Sequence, residues 1–274
     1  MLARMAITRQ DLESDRLRAS LCSTPVASSL LTEDAIERSL RCALAERADA
    51  DGPDGDSGDV WIFGYGSLIW NPMVVHTDRR VATVHGYHRG FYLYSRINRG
   101  TWDHPGLVLG LDRGGSCTGM AFRIPKNVIE QEFRVLWRRE MMTGAYHPRW
   151  LRLKFGDGTH SAPRRALAFV MNRDHNGYAG RLPDDEVVGC LRHACGVYGP
   201  ARDYLQQTLL GLATHGVGDP YLERLWRQLQ ERDAREGSSA AAGTHPAPQG
   251  SGSPADAGRA DNAVASTMAP HETV

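Results

Sequence analysis

A run of β-favouring side chains, Val60-Trp61-Ile62-Phe63, breaks off at Gly64-Tyr65-Gly66-Ser67-Leu68. Such a pattern describes a buried strand that delivers a tight turn to a fixed place in the fold. Two glycines around Tyr65 free the backbone for unusual dihedrals and allow a ligand to approach the main chain closely. The amides from Tyr65 to Leu68 can then point at an anion or a developing oxyanion. Other loops of this kind do not fit. A dinucleotide loop needs a third glycine where Ile69 stands, and a P-loop needs Gly-Lys-Ser/Thr. A serine-hydrolase elbow needs a glycine two places beyond Ser67. Asn71-Pro72 argues against a helix starting cleanly after the turn. Taken alone, the segment fits a strand-turn-strand corner without a ligand equally well.

Lysine plus arginine and aspartate plus glutamate number 32 each, so no global field favours nucleic acid or an anionic membrane. No apolar run is long enough to span a bilayer, and the N-terminus lacks the apolar core of a signal peptide. Five cysteines (Cys22, Cys42, Cys117, Cys190 and Cys195) are scattered and odd in number, which suits reduced thiols in the cytoplasm.

Composition divides the chain of 274 residues into three regimes. Residues 1–58 are helix-prone, then turn into a Gly/Asp-rich linker from Asp49. Thr8, with Asp11 three places on, marks one helix start, and Thr32-Glu33-Asp34 marks another whose Ile36, Leu40 and Leu44 share a face. Residues 59–235 form the expected folded unit. Residues 236–274 hold few large apolar side chains and are expected to be disordered.

Within the folded unit, strands are predicted at 59–63, 81–86, 90–95, 107–112, 118–124, 150–155 and 165–171. Close spacing, with Asp112-Arg113-Gly114-Gly115 read as a hairpin turn, suggests a largely antiparallel or mixed sheet that curls into a small barrel. Helices are predicted at 126–142, 184–195, 200–214 and 219–235. The order argues for an α+β fold.

One carboxylate stands out. At about 100° per residue, Ile129, Phe133 and Leu136 form a narrow apolar arc, and Glu140 falls about 20° from Ile129, between Leu136 and Phe133. A carboxylate in an apolar stripe is costly unless it is paired or employed. A buried ion pair with an arginine from a strand is one reading. A general base with a raised pKa is the other. Arg138-Arg139 reads as a solvated or ion-paired rim. Gly115-Ser116-Cys117-Thr118-Gly119 reads as a turn and not as a nucleophile. His85 and His88, three apart in a strand, give poor metal geometry, and Cys190, His193 and Cys195, a trio without a fourth ligand nearby, read as ordinary helix packing.

These residues resemble one family. Val60 through Pro72 is similar to the signature of the ChaC-like γ-glutamylcyclotransferases, and the similarity continues in Gly86-Tyr87-His88-Arg89, Arg99-Gly100-Thr101 and Pro105 through Cys117. It runs on through Trp137-Arg138-Arg139-Glu140, Gly144-Ala145-Tyr146, Asn176-Gly177-Tyr178 and Gly199-Pro200-Ala201-Arg202-Asp203-Tyr204. The resemblance implies a γ-glutamylcyclotransferase-like α+β fold around a small mixed barrel. It implies cleavage of glutathione to 5-oxoproline and Cys-Gly, without metal, nucleotide or other cofactor. The loop that holds the γ-glutamyl group maps onto Ile62, Phe63, Gly64, Tyr65, Gly66, Ser67 and Leu68, and the catalytic glutamate maps onto Glu140. Met141-Met142-Thr143 lengthen the link that follows that glutamate relative to some members of the family.

On this reading Arg99 and Tyr204 are candidate pocket residues, a carboxylate clamp and a hydroxyl donor; a surface arginine and a core tyrosine are the plain alternatives. Glutathione is the expected small-molecule partner, with no nucleic acid and no membrane insertion. Oligomeric state is left open, with a monomer favoured. Two other functions stay open: a cyclotransferase for other γ-glutamyl compounds, and a non-catalytic regulator of a transport system.

Overall fold

The computed structural model describes residues 7–14, 16–47, 58–156 and 164–242. Most of the Gly/Asp linker expected from Asp49 and residues 243–274 of the expected disordered tail lie outside the described residues. Residues 1–234 form one compact unit, and a second begins at Arg235.

Five strands close into a barrel: β1 (Val60–Gly64), β2 (Asp78–Ser95), β3 (Gly106–Ile124), β4 (Tyr146–Phe155) and β5 (Arg164–Met171). Their order is β1-β3-β2-β4-β5, with β1 pairing back onto β5. Pairing is antiparallel except where β5 runs parallel to β1 and touches β3. All five residues of β1 are buried, as an apolar run with neighbours on both edges requires.

Two of the expected breaks are absent. Residues 81–86 and 90–95 belong to one strand, β2, and residues 107–112 and 118–124 to one strand, β3. Asp112-Arg113-Gly114-Gly115 is therefore not a hairpin turn. Pairing passes from His85↔Ser116 to Tyr87↔Arg113, with a register shift between. Gly86, Gly114 and Gly115 take positive φ values of 83°, 105° and 65° there. Glycines that look like punctuation in the sequence build a bulge that bends two long strands around the barrel. The hairpin connection is residues 96–105, which carry Arg99.

Cys117 lies in this ladder, buried, and burial pushes its thiol up to about 11, far from a reactive thiolate. All five cysteines are unbridged. Among the described residues no three histidine, cysteine or acidic side chains are grouped to hold a metal ion, and no helix is long and apolar enough to cross a membrane.

Of the N-terminal helices α1 (Arg9–Glu13), α2 (Arg16–Cys22) and α3 (Glu33–Glu46), the first and third start where their caps predict. Thr8 and Asp11 form a reciprocal capping box, and Thr32 accepts from the Ala35 amide. Ile36 and Leu40 are buried, with Ala43 beside them, while Leu44 is half-buried. One helical turn, α4 (Ser67–Trp70), follows the glycine bend, and Asn71 ends it. Asn71-Pro72 thus limits that helix to a turn instead of preventing it.

Helix α5 (Ile129–Glu140) packs its apolar face against the barrel, with Phe133 stacked on Trp137. Helices α6 (Asp184–His193), α7 (Ala201–Ala213) and α8 (Pro220–Ala242) complete the order. The two-residue strands β6 (Cys195–Gly196) and β7 (Gly199–Pro200) lie between α6 and α7. Helix α8 continues past residue 235, where the sequence reading ended the folded unit.

Candidate active site

A second carboxylate on α5, overlooked in the sequence, separates the two readings of a buried acid. Glu132 is 1% exposed and purely structural in its contacts: both oxygens accept from the Arg9 guanidinium at 2.6 and 2.9 Å, and one accepts from the Val75 amide. Glu140 differs. Its side chain is 14% exposed and faces a cleft of about 210 Å³ that opens to solvent. Its carboxylate pairs with its chain neighbour Arg139, Nε to Oε1 at 2.9 Å.

Arg139 is no solvated rim residue. Its guanidinium also donates to Ser67 Oγ at 2.7 Å and to the Asn71 carbonyl at 2.6 Å. One planar cation therefore ties the Glu140 carboxylate to the bend that follows β1. Burial raises the Glu140 pKa from the ordinary glutamate value, and Arg139 opposes that rise.

Three tyrosines surround the carboxylate. Tyr65 Oη donates to the Phe169 carbonyl at 2.7 Å, and Tyr146 Oη to the Leu109 carbonyl at 3.3 Å. Tyr204 Oη accepts from the Leu109 amide at 3.4 Å. Burial first, and then the charge of Glu140 among others, drives all three phenols above their usual range, Tyr204 to about 12. All three stay protonated near neutral pH, so they can donate hydrogen bonds but cannot act as bases. Glu140 offers the cleft a carboxylate, and His175, whose imidazole pKa burial lowers, lines the same cleft.

The expected loop divides. Tyr65, Gly66, Ser67 and Leu68 line the cleft. Ile62 and Phe63 are buried on opposite faces of β1, at 1% and 0% exposure, and Gly64 ends the strand. These three support the bend from below. Arg99, at 3% exposure, is not a surface arginine. It lines the cleft, donates to the Tyr198 and Pro200 carbonyls at 2.7 and 3.2 Å, and lies 5.9 Å over the Tyr204 ring. Tyr204 is both buried and cleft-lining.

Several site residues escaped the sequence reading. Arg139 carries no signal beyond adjacency to Glu140. Tyr146 opens β4 six residues after Glu140, and its even spacing from the buried Trp150 on the same strand face was the cue that could have found it. Arg89 is buried, pairs with Asp219 at 2.6 Å, and donates to the Tyr65 carbonyl at 2.9 Å and to the Thr118 carbonyl. Asp219 in turn caps α8 by accepting from the Tyr221 and Leu222 amides. Arg89→Ala strands that carboxylate and two carbonyls. It should lower unfolding free energy by about 3–5 kcal/mol, read as a reduced urea midpoint; a midpoint unchanged from the parent would exclude a structural role for the pair.

The sequence profile of the ChaC-like protein family matches residues 60–232. The chain belongs to the ChaC-like family.

Among curated family proteins, the chain is 38% identical over 194 residues to the glutathione-specific gamma-glutamylcyclotransferase of Escherichia coli, covering 68% of this chain and 83% of that one. It is 33% identical over 154 residues to glutathione-specific gamma-glutamylcyclotransferase 1 of Mus musculus, covering 56% and 69%. A crystal structure of the yeast gamma-glutamyl cyclotransferase specific to glutathione superimposes with a TM-score of 0.58 at 20% identity, covering 64% of this chain and 96% of that one. At that identity the superposition speaks for the fold alone, and it agrees with the closed five-stranded barrel and packed helices of this ChaC-like chain.

Proposed function

We propose that this protein is a cytoplasmic γ-glutamylcyclotransferase that acts on glutathione, forming 5-oxoproline and releasing Cys-Gly. The observation that carries the reading is the Glu140 carboxylate, raised in pKa, exposed to a cleft and tied through Arg139 to Ser67 of the glycine bend.

The substrate's α-amine attacks its own γ-carbonyl. A C–N bond forms to close the five-membered lactam, and the γ-amide C–N bond breaks. Glu140 takes the proton lost by the amine and returns it to the departing dipeptide nitrogen, so the enzyme ends as it began. An α-amine titrates at about 8, so most of it is protonated near neutrality and needs a base. Because nucleophile and carbonyl belong to one molecule, folding the γ-glutamyl chain back supplies most of the proximity. The amides from Tyr65 to Leu68 hold the α-carboxylate or the developing oxyanion, with Tyr204 a hydroxyl donor beside them and Arg99 a cation at the wall. The names of the relatives favour glutathione over other γ-glutamyl compounds.

Purified protein incubated with glutathione should release Cys-Gly and 5-oxoproline in equal amounts; intact glutathione after prolonged incubation would refute the assignment. The pH profile adds a test of the base. The acid limb of kcat/KM should lie above the ordinary carboxylate range, because ionised Glu140 is required and burial raises its pKa. In Arg139→Met the opposing cation is gone, so the limb should move to higher pH, and Arg139→Lys should bring it part-way back. A limb that stays put or moves down would separate Glu140 from the titration.

A further inference from the structure

The cleft is not built from the family-matched region alone. That match begins at residue 60, yet Ile7, Leu17, Leu21 and Val26 from the N-terminal segment line the same cleft as Glu140 and the bend. The segment is fastened there from several sides. The Ile7 carbonyl accepts from Asn71 Nδ2 at 3.0 Å, just past the bend. Arg9 forks onto Glu132 of α5. The Leu31 amide donates to the Met142 carbonyl at 2.9 Å. Leu12, Leu17 and Leu21 share a small apolar core with Met142 and Tyr198. The lengthened link after Glu140 and the N-terminal segment are therefore one packed unit.

The walls differ in chemistry. One side of the cleft carries Asn98, Arg99 and Arg96, the last stacked 5.2 Å over the ring of Trp102, which is 47% exposed. The opposite chemistry comes from Ile7, Leu17, Leu21, Val26 and Met142, whose aliphatic and thioether surface lies beside the hydroxyl of Ser29. A γ-glutamyl group whose amine reaches Glu140 has its γ-carbonyl near the bend. The leaving dipeptide must extend from there into the remaining volume. Its carboxylate suits the arginine side, and its uncharged cysteine side chain suits the apolar side.

We propose that the N-terminal segment, from Ile7 to Val26, together with Met142, forms the subsite for the side chain of the residue that follows the γ-glutamyl group. It is thus the selectivity element of the enzyme. The proposal rests on the cyclotransferase reading above.

A competition experiment tests it on the full chain. Glutathione and γ-glutamyl-alanyl-glycine, the same tripeptide without sulfur, are supplied together, and the release of Cys-Gly and Ala-Gly is followed in one tube. The ratio of the two rates reports relative kcat/KM and is independent of how much enzyme is folded. The parent should prefer the cysteine peptide. Leu21→Ala and the half-buried Ile7→Ala should each reduce that preference by roughly tenfold, the scale of one small apolar group in a pocket. Should Leu21→Ala fail to fold, Ile7→Ala alone decides. A preference within about twofold of the parent in the folded variants would overturn the subsite, since effects of that size fall below one apolar contact. A parent that releases neither dipeptide would instead overturn the cyclotransferase reading, and the subsite with it.

Discussion

Glu140→Gln is expected to fold, to bind glutathione and to turn it over about 10³-fold more slowly, within the range that a positioned general base contributes. The amide keeps the shape of the side chain and removes its charge, so the burial that raises the Glu140 pKa no longer opposes folding. Stability should therefore be unchanged or slightly higher, which separates this loss from misfolding. Release of Cys-Gly under saturating glutathione measures the rate, and calorimetric titration measures binding. A variant with parental turnover would remove Glu140 from the role of base, whatever its pKa.

Gly66→Val should abolish most activity by a different route. A Cβ at this position would stand 2.6 Å from Tyr204 Oη and 3.5 Å from Leu109 Cβ. Either the tyrosine swings away or the bend shifts, and displacement of about 1 Å at such a site costs on the order of 10²-fold in kcat/KM. Valine adds two methyl groups to that conflict, so Gly66→Ala should be the milder change. Because the nearest atom is the phenol oxygen, Gly66→Ala combined with Tyr204→Phe should lose less activity than the product of the two single losses. Two single losses that simply multiply in the double variant would place the conflict elsewhere.

Glu140 and the bend stood out in the sequence because each violates a local rule. Glu140 breaks an apolar stripe, and Gly64-Tyr65-Gly66-Ser67 breaks a strand. Glu132 breaks the same stripe and was missed, although the structural reading of a buried acid describes it well: its partner, Arg9, lies 123 positions away, and no periodicity reports such a partner. The caps at Thr8 and Thr32 were readable because a cap is settled within four residues. Strand ends were harder. Gly86 and Gly114-Gly115 carry the composition of turns, yet the cross-strand ladder continues through them as a bulge, which only the partner strand specifies. Arg99 could be read as clamp or surface residue because its fate depends on the carbonyls of Tyr198 and Pro200, some hundred residues on.

The barrel has a consequence for how such a protein can change over generations. Strand β1 is laced on one edge to β3 and on the other to β5, so the bend at its end is mounted on a closed ring. The hairpin crossing at 96–105, the link at 141–145 and the N-terminal helices are all suspended from the outside of that ring. Mutation can reshape those appendages without dislodging the mount, so the tastes of the enzyme can drift while its reaction is inherited intact.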